Sequence, residues 1–412
     1  MRNVMKGRGA GLVLAVAVAL PATVGPAFAL PAAPVAPAAP SASPGVDGPG
    51  ATLLPPLPVR LGEGNPCTGA SDRTAAGTAW SQTALGLSRA QRISRGGGVT
   101  VAVVDSGVAS GVPSLSGRVE AVGGADEDCL GHGTFAAGLI AAAPEKGSGI
   151  TGVAPQAEIL ALSGTDDRGA PSPARVADGI RTAADRGAQV IYVGQALRTG
   201  KAELTAAVAH ATWRDALVVA PAAPDAVPRE ELGPDGEMPE GPYWPAAAPG
   251  ALAVVDFGPG GVRQENAPPA HDPELSAPGS EVVSVGPEGS GHYIGSGASL
   301  AAAGVAGAAA LVRAYHPELT AEEVTRRLLD TAYPSDIPRL DPYAALSLLG
   351  DRTAPPAHTP APAQMPPATD PTPHNRALTI AAAALAAVLL LAALAAVIPR
   401  GRTRNWHPPT TP

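Results

Sequence analysis

The chain has 412 residues, with 49 Gly, 47 Pro and only 3% aromatic side chains. That length holds one large domain with appendages. The formal net charge of −8 at pH 7 gives no electrostatic footing for nucleic acid, so nucleic-acid binding is excluded from the expected functions.

The first segment places Arg2, Lys6 and Arg8 ahead of an apolar run from Gly11 to Leu20 and the small-residue site Ala27-Phe28-Ala29. Basic, apolar and small residues in that order read as a secretory signal peptide over 1–29. The alternative, an uncleaved anchor, is disfavoured by the short apolar run and the good cleavage site. A Pro- and Ala-rich arm follows over 30–64, extended and without a core of its own. The two cysteines are Cys67 and Cys129. Export puts them in an oxidising compartment, which favours a bridge over two separate buried thiols.

The predicted domain covers 65–350. The β-branched run Val99 to Val104 suits a strand buried on both faces of a parallel sheet. Further strands are predicted at Ala157–Leu162, Gln189–Val193, Ala216–Ala220, Leu252–Asp256 and Val282–Val285. Helical spacing appears over Pro173–Asp185, where Val176, Ile180 and Ala183 share a face, and over Leu204–Trp213. Alternating strand and helix predict an α/β fold with a parallel sheet flanked by helices. Near the end, Thr320-Ala321-Glu322-Glu323 has the form of a capping box, with Val324, Leu328 and Leu329 as the buried stripe behind it.

Residues 351–376 are again rich in Pro, a semi-rigid spacer. An uncharged apolar run over 377–398 is long enough to cross a bilayer as a helix. Arg400, Arg402 and Arg404 follow it, and positive charge stays on the cytoplasmic side. The expected topology is therefore a single-pass membrane protein with its domain outside and a cytoplasmic tail over 399–412. A buried soluble helix is the alternative for this run.

Three motifs carry chemistry. Val103-Val104-Asp105-Ser106-Gly107 puts a carboxylate where a hydrophobic strand ends, the edge at which functional groups gather in parallel sheets. Alone, such an Asp is more often a turn or cap residue. Gly131-His132-Gly133-Thr134 sets an imidazole between two glycines at the start of an apolar helical stretch. Gly295-Ser296-Gly297-Ala298-Ser299 sets a hydroxyl at the positive end of a long apolar helix, where developing negative charge is favoured. An N-cap serine would look similar. The three together, in the order Asp105, His132, Ser299, form a serine-protease-type set.

These motifs resemble the subtilase family of serine proteases over roughly Gly97 to Leu349. Val-Val-Asp-Ser-Gly and Gly-His-Gly-Thr are similar to the family's Asp and His signatures, and Ala277-Pro278-Gly279 to its segment ahead of the serine. The whole layout of signal peptide, Cys-bearing arm, Pro-rich spacer and C-terminal apolar helix resembles the mycosins, membrane-anchored subtilases associated with type VII secretion. The resemblance implies a subtilisin-like fold and an endopeptidase acting on protein or peptide substrates. Its catalytic residues would be Asp105, His132 and Ser299, with no metal or other cofactor, at the membrane and with a type VII secretion complex as a partner. It also implies that Cys67 pairs with Cys129 and straps the arm across the domain.

The chain departs from the family in three places. Ala298 and Ala303 replace a Thr and a Pro beside the serine. Tyr192-Val193-Gly194-Gln195-Ala196 stands where the family carries Asn-x-Ser-x-Gly. After the strand at Ala216–Ala220, Pro221-Ala222-Ala223-Pro224-Asp225 replaces the Ala-Gly-Asn segment. Pro224 is thereby expected at the position of the family's oxyanion Asn, where it offers no donor. Two readings follow, a slow endopeptidase and a non-catalytic scaffold of a secretion complex; another serine hydrolase chemistry is a distant third.

Overall fold

The computed structural model describes residues 53–348 and 372–403. The signal peptide 1–29, the arm up to residue 52, the spacer over 351–371 and the tail beyond 403 lie outside the described residues.

Seven parallel strands form the main sheet: β1 (Thr100–Asp105), β2 (Val119–Ala121), β3 (Glu158–Ser163), β4 (Val190–Val193), β5 (Leu217–Pro221), β6 (Ala251–Phe257) and β7 (Leu275–Pro278). Their spatial order is β2-β3-β1-β4-β5-β6-β7. The helices in chain order are α1 (Trp80–Ala84), α2 (Leu87–Ala90), α3 (His132–Ala141), α4 (Pro173–Asp185), α5 (Lys201–Trp213), α6 (Ala298–Tyr315), α7 (Ala321–Asp330), α8 (Pro342–Ser347) and α9 (Thr372–Thr403).

The period-2 alternation of each strand divides the core into two layers. Val101 and Val103 of β1 face one way, into a cluster with α3 and α6 residues such as Ile140, Ala302 and Val305. Ala102 and Val104 face the other way, against Val176 and Ile180 of α4 and Leu204 and Val208 of α5. Both faces are covered, which is why the strand sequences are almost continuously apolar. β1 lies between β3 and β4, so the chain turns outward in opposite directions on its two sides. That is the switch point at which open α/β sheets place their ligands.

α6 and α9 are both long and apolar, but burial separates them. In α6 89% of the helix is buried, whereas the stretch Arg376–Val397 of α9 is 0% buried. α6 is a core helix whose alanines allow it to lie close on the sheet. The Arg376–Val397 stretch has 22 residues, or about 33 Å at the helical rise, enough for a bilayer core.

The six predicted strands are all present, with ends displaced by one residue at most. Val282–Val285 (β8) lies outside the parallel sheet and pairs antiparallel with β9 (His292–Gly295). β2, β7 and β9 were not expected: β2 is three residues long, and β7 reads Leu-Ser-Ala-Pro, with no β-branched residue. The capping box at Thr320 forms as expected. Thr320 Oγ1 accepts from the Glu323 amide at 3.3 Å, and the Glu323 carboxylate accepts from the Thr320 amide at 2.9 Å.

Candidate active site

Each motif sits where one element delivers it. β1 ends at Asp105, which is fully buried. Its Oδ1 accepts from the Ser106 amide at 2.7 Å, and its Oδ2 from the Tyr192 hydroxyl at 3.2 Å. The residue beside it has to be glycine: a Cβ on Gly194 would stand 1.8 Å from Asp105 Oδ2. Gly194 therefore belongs to the segment that departs from the family pattern, yet its lack of a side chain is what admits the carboxylate.

α3 begins at His132. A second buried carboxylate, Asp128, holds this end of the helix. It accepts from the Gly131 amide at 2.8 Å, the Ser106 hydroxyl at 2.8 Å, the Thr134 amide at 2.8 Å and the Thr134 hydroxyl at 2.7 Å. Burial pushes the Asp128 carboxyl above the usual carboxylate range, against the pull of these donors. The amides of the first helical turn have no partner within the helix, and this carboxylate takes one of them. Gly133 allows α3 to approach β1, since a Cβ there would lie 2.0 Å from the Gly107 carbonyl oxygen.

α6 brings Ser299 to the same point. His132 Nδ1 lies 2.9 Å from both Asp105 oxygens, and His132 Nε2 lies 3.1 Å from Ser299 Oγ. The three residues singled out from the sequence thus meet in one hydrogen-bonded chain, from positions 27 and 167 residues apart.

A fourth side chain joins them. Asp225, in the loop after β5, reaches Ser299 with both oxygens. Its Oδ1 accepts from the Ser299 amide at 2.9 Å, and its Oδ2 accepts from the Ser299 hydroxyl at 2.5 Å. The same Oδ2 lies 3.2 Å from His132 Nε2. The imidazole is therefore flanked by a carboxylate at each nitrogen. Burial pulls His132 down, but Asp105 first and Asp225 second hold it well above the ordinary imidazole value. Burial, Asp105 and Asp225 push the Tyr192 hydroxyl up in turn, so it remains a donor to Asp105.

The subtilase family model matches residues 96–366, more than half of the chain. The chain belongs to the subtilase family. Among relatives, it is 33% identical over 394 residues to mycosin-3 of Mycobacterium tuberculosis, covering 78% of this chain and 84% of that protein. It is 35% identical over 228 residues to thermitase of Thermoactinomyces vulgaris, covering 53% of this chain and 76% of that one. Among solved structures, MycP1 from the ESX-1 type VII secretion system matches with a TM-score of 0.60 at 26% identity, over 76% of this chain and 97% of that one. MycP3 protease from the type VII (ESX-3) secretion system matches with a TM-score of 0.56 at 32% identity, over 71% and 97%.

The position that faces the serine amide in this subtilase differs from the sequence expectation by one residue. Pro224 borders the cleft, but the side chain that reaches Ser299 is that of Asp225. The run of Pro221, Ala222, Ala223 and Pro224 gives the loop a course that counting from the strand does not reveal. Sequence reasoning also missed Asp128, which lies one residue before Cys129.

A cleft of about 770 Å³ opens in front of the site, bordered by His132, Gly194, Gln195, Pro224 and Asp225. Val59 and Arg60 of the N-terminal arm also border it. The arm is tied down on both sides of that point. The Leu57 amide donates to the Ile294 carbonyl at 2.8 Å, and the Leu61 amide to the Arg168 carbonyl at 3.0 Å. Beyond them Cys67 is bridged to Cys129, and the Thr68 hydroxyl donates to the Leu130 carbonyl at 2.7 Å. The disulfide fastens the arm three residues ahead of His132, the first residue of α3.

Proposed function

We propose that this subtilase is a membrane-anchored serine endopeptidase that hydrolyses peptide bonds outside the membrane and works with a type VII secretion system. The observation that carries the reading is His132 held 2.9 Å from Asp105 and 3.1 Å from Ser299. Ser299 Oγ attacks the scissile carbonyl carbon, and its proton passes to His132 Nε2. Asp105 keeps Nδ1–H oriented and balances the imidazolium. His132 then gives the proton to the leaving amine, and water hydrolyses the acyl-enzyme by the same steps in reverse order.

The proposed layout has a signal peptide over 1–29, the arm over 30–64, the catalytic domain over 65–350 and the spacer over 351–376. A membrane helix over 377–398 and a cytoplasmic tail over 399–412 complete it. The exposed apolar stretch Arg376–Val397 of α9 and Arg400, Arg402 and Arg404 after that stretch support that topology. Similarity to mycosin-3 and to the MycP1 and MycP3 structures supports the link to type VII secretion.

A fluorophosphonate probe tests the chemistry. The ectodomain should be labelled, and Ser299→Ala should abolish labelling; equal labelling of the two proteins overturns the reading. Loss of the nucleophile in such a set removes turnover by a factor on the order of 10⁶.

The Asp225 contacts favour a second reading, a scaffold that uses the subtilase fold for binding. It predicts that Ser299→Ala leaves secretion intact while deletion of the whole chain stops it. Equal loss in both strains eliminates the scaffold.

A further inference from the structure

Acyl transfer needs three things around the serine. The backbone N–H at the start of the serine's helix must be free to receive the oxygen that becomes negative. The hydroxyl must give its proton to the imidazole, and the imidazole must be able to take it. Asp225 engages all three groups. Its Oδ1 accepts the Ser299 N–H at 2.9 Å, its Oδ2 accepts the Ser299 O–H at 2.5 Å, and the same oxygen lies 3.2 Å from His132 Nε2.

The carboxylate occupies a seat shaped for it. A Cβ on Gly297 would come 2.1 Å from both Asp225 Cγ and Oδ1, so any side chain at 297 would evict it. The Asp225 side chain is only 8% exposed, and among the described residues its cationic partner is His132. Ser299 itself is 1% exposed.

We propose that the Asp225 carboxylate fills the oxyanion site of this subtilase and holds Ser299 latent, so that hydrolysis begins only when this side chain is displaced. The proposal rests on the endopeptidase reading above. Two negative oxygens cannot share the Ser299 N–H. A carbonyl oxygen developing charge there meets a carboxylate in place of a donor, and in a water-poor site that repulsion is weakly screened. The hydroxyl proton is also directed to Asp225 and away from the base.

The groups that set the charge of His132 come from every element around it. They are Asp105 on β1, which also accepts from Tyr192 on β4, and Asp225 after β5, with Ser299 on α6 in hydrogen-bond reach of the ring. Arg60, Arg198, Glu230 and Glu231 border the cleft farther out.

Asp225→Asn keeps the shape, removes the charge and supplies an amide donor. Asp225→Ala removes the charge and supplies none. Second-order labelling by a fluorophosphonate should rise at least about tenfold in Asp225→Asn, toward the 10²–10³ that one oxyanion donor typically contributes. Asp225→Ala should fall between wild type and Asp225→Asn. A thermal melt of each variant checks its fold. NMR titration of the His132 ring supplies a readout independent of turnover: its pKa should drop in Asp225→Asn, so the acid limb of labelling moves to lower pH. An Asp225→Asn protein that labels no faster than wild type, or an unmoved His132 titration, overturns the proposal. If wild type and Asp225→Asn label equally through Ser299, only the latency proposal fails. If neither labels through Ser299, the endopeptidase reading fails with it.

Discussion

The two ends of the His132 ring meet the same chemical group, and the proposed mechanism gives the two contacts opposite consequences. At Nδ1, Asp105 is buried at the end of β1 and held by the Ser106 amide and the Tyr192 hydroxyl. Its oxygens are fully engaged, and none reaches Ser299. At Nε2, Asp225 touches both the ring and the serine. A carboxylate behind the base raises its proton affinity and fixes its orientation. In the proposed mechanism, a carboxylate beside the nucleophile raises the same proton affinity but competes for the nucleophile's proton and for the oxyanion donor. The position of the charge relative to the reacting atoms, and not its presence near the imidazole, decides whether it assists.

The largest effect that sharpens this contrast is at Asp105. Asp105→Asn should lower Ser299 labelling by about 10⁴, with the ring left in the wrong tautomer, while Asp225→Asn raises it. Both substitutions should lower the His132 pKa, because each removes a neighbouring negative charge. If the two variants change labelling in the same direction, the contrast between the two ends is broken.

A third carboxylate separates positioning from chemistry. Asp128 supports α3 through four donors and touches neither His132 nor Ser299 through any of them. Asp128→Ala should cost about 1–3 kcal/mol of stability, from the buried donors it leaves unpaired. Labelling per folded molecule should stay within a few-fold of wild type. A thermal melt and active-site titration on one sample check both. A large loss of labelling in fully folded protein would place Asp128 in the chemistry.

The disulfide gives a comparable but smaller contrast. Cys67–Cys129 closes a separation of 62 residues, and a bridge of that kind is typically worth about 2–4 kcal/mol to the whole domain. Paired Cys67→Ser and Cys129→Ser should lower the melting temperature and loosen the arm at Val59 and Arg60. The effect on labelling should be smaller than that of either Asp105→Asn or Asp225→Asn.

The motifs that place Asp105, His132 and Ser299 were legible in the sequence because each is a local signal. A strand run ending in Asp, a His between glycines and a Ser heading an apolar helix each depend on a few adjacent residues. The alternation of β1 and β3 to β6 with helices was legible for the same reason. Asp225 was not, because its role depends on the course of a Pro-rich loop. Counting residues from β5 put Pro224 at the oxyanion position, whereas the folded loop turns the next side chain inward. Gly194 and Gly297 were equally silent: only the contact shows that each leaves room for a carboxylate, Asp105 in one case and Asp225 in the other. β2, β7 and β9 escaped because three- and four-residue strands with Glu, Ser, Pro or His carry little periodicity. They are defined by the neighbours they pair with.

A crystal structure of the ectodomain with a phosphonate adduct on Ser299 tests directly whether Asp225 fills the oxyanion site. The phosphonyl oxygen should lie at the Ser299 N–H, with the Asp225 carboxylate moved out of hydrogen-bonding reach of that amide. An adduct formed while Asp225 still accepts from the Ser299 N–H would contradict the proposal.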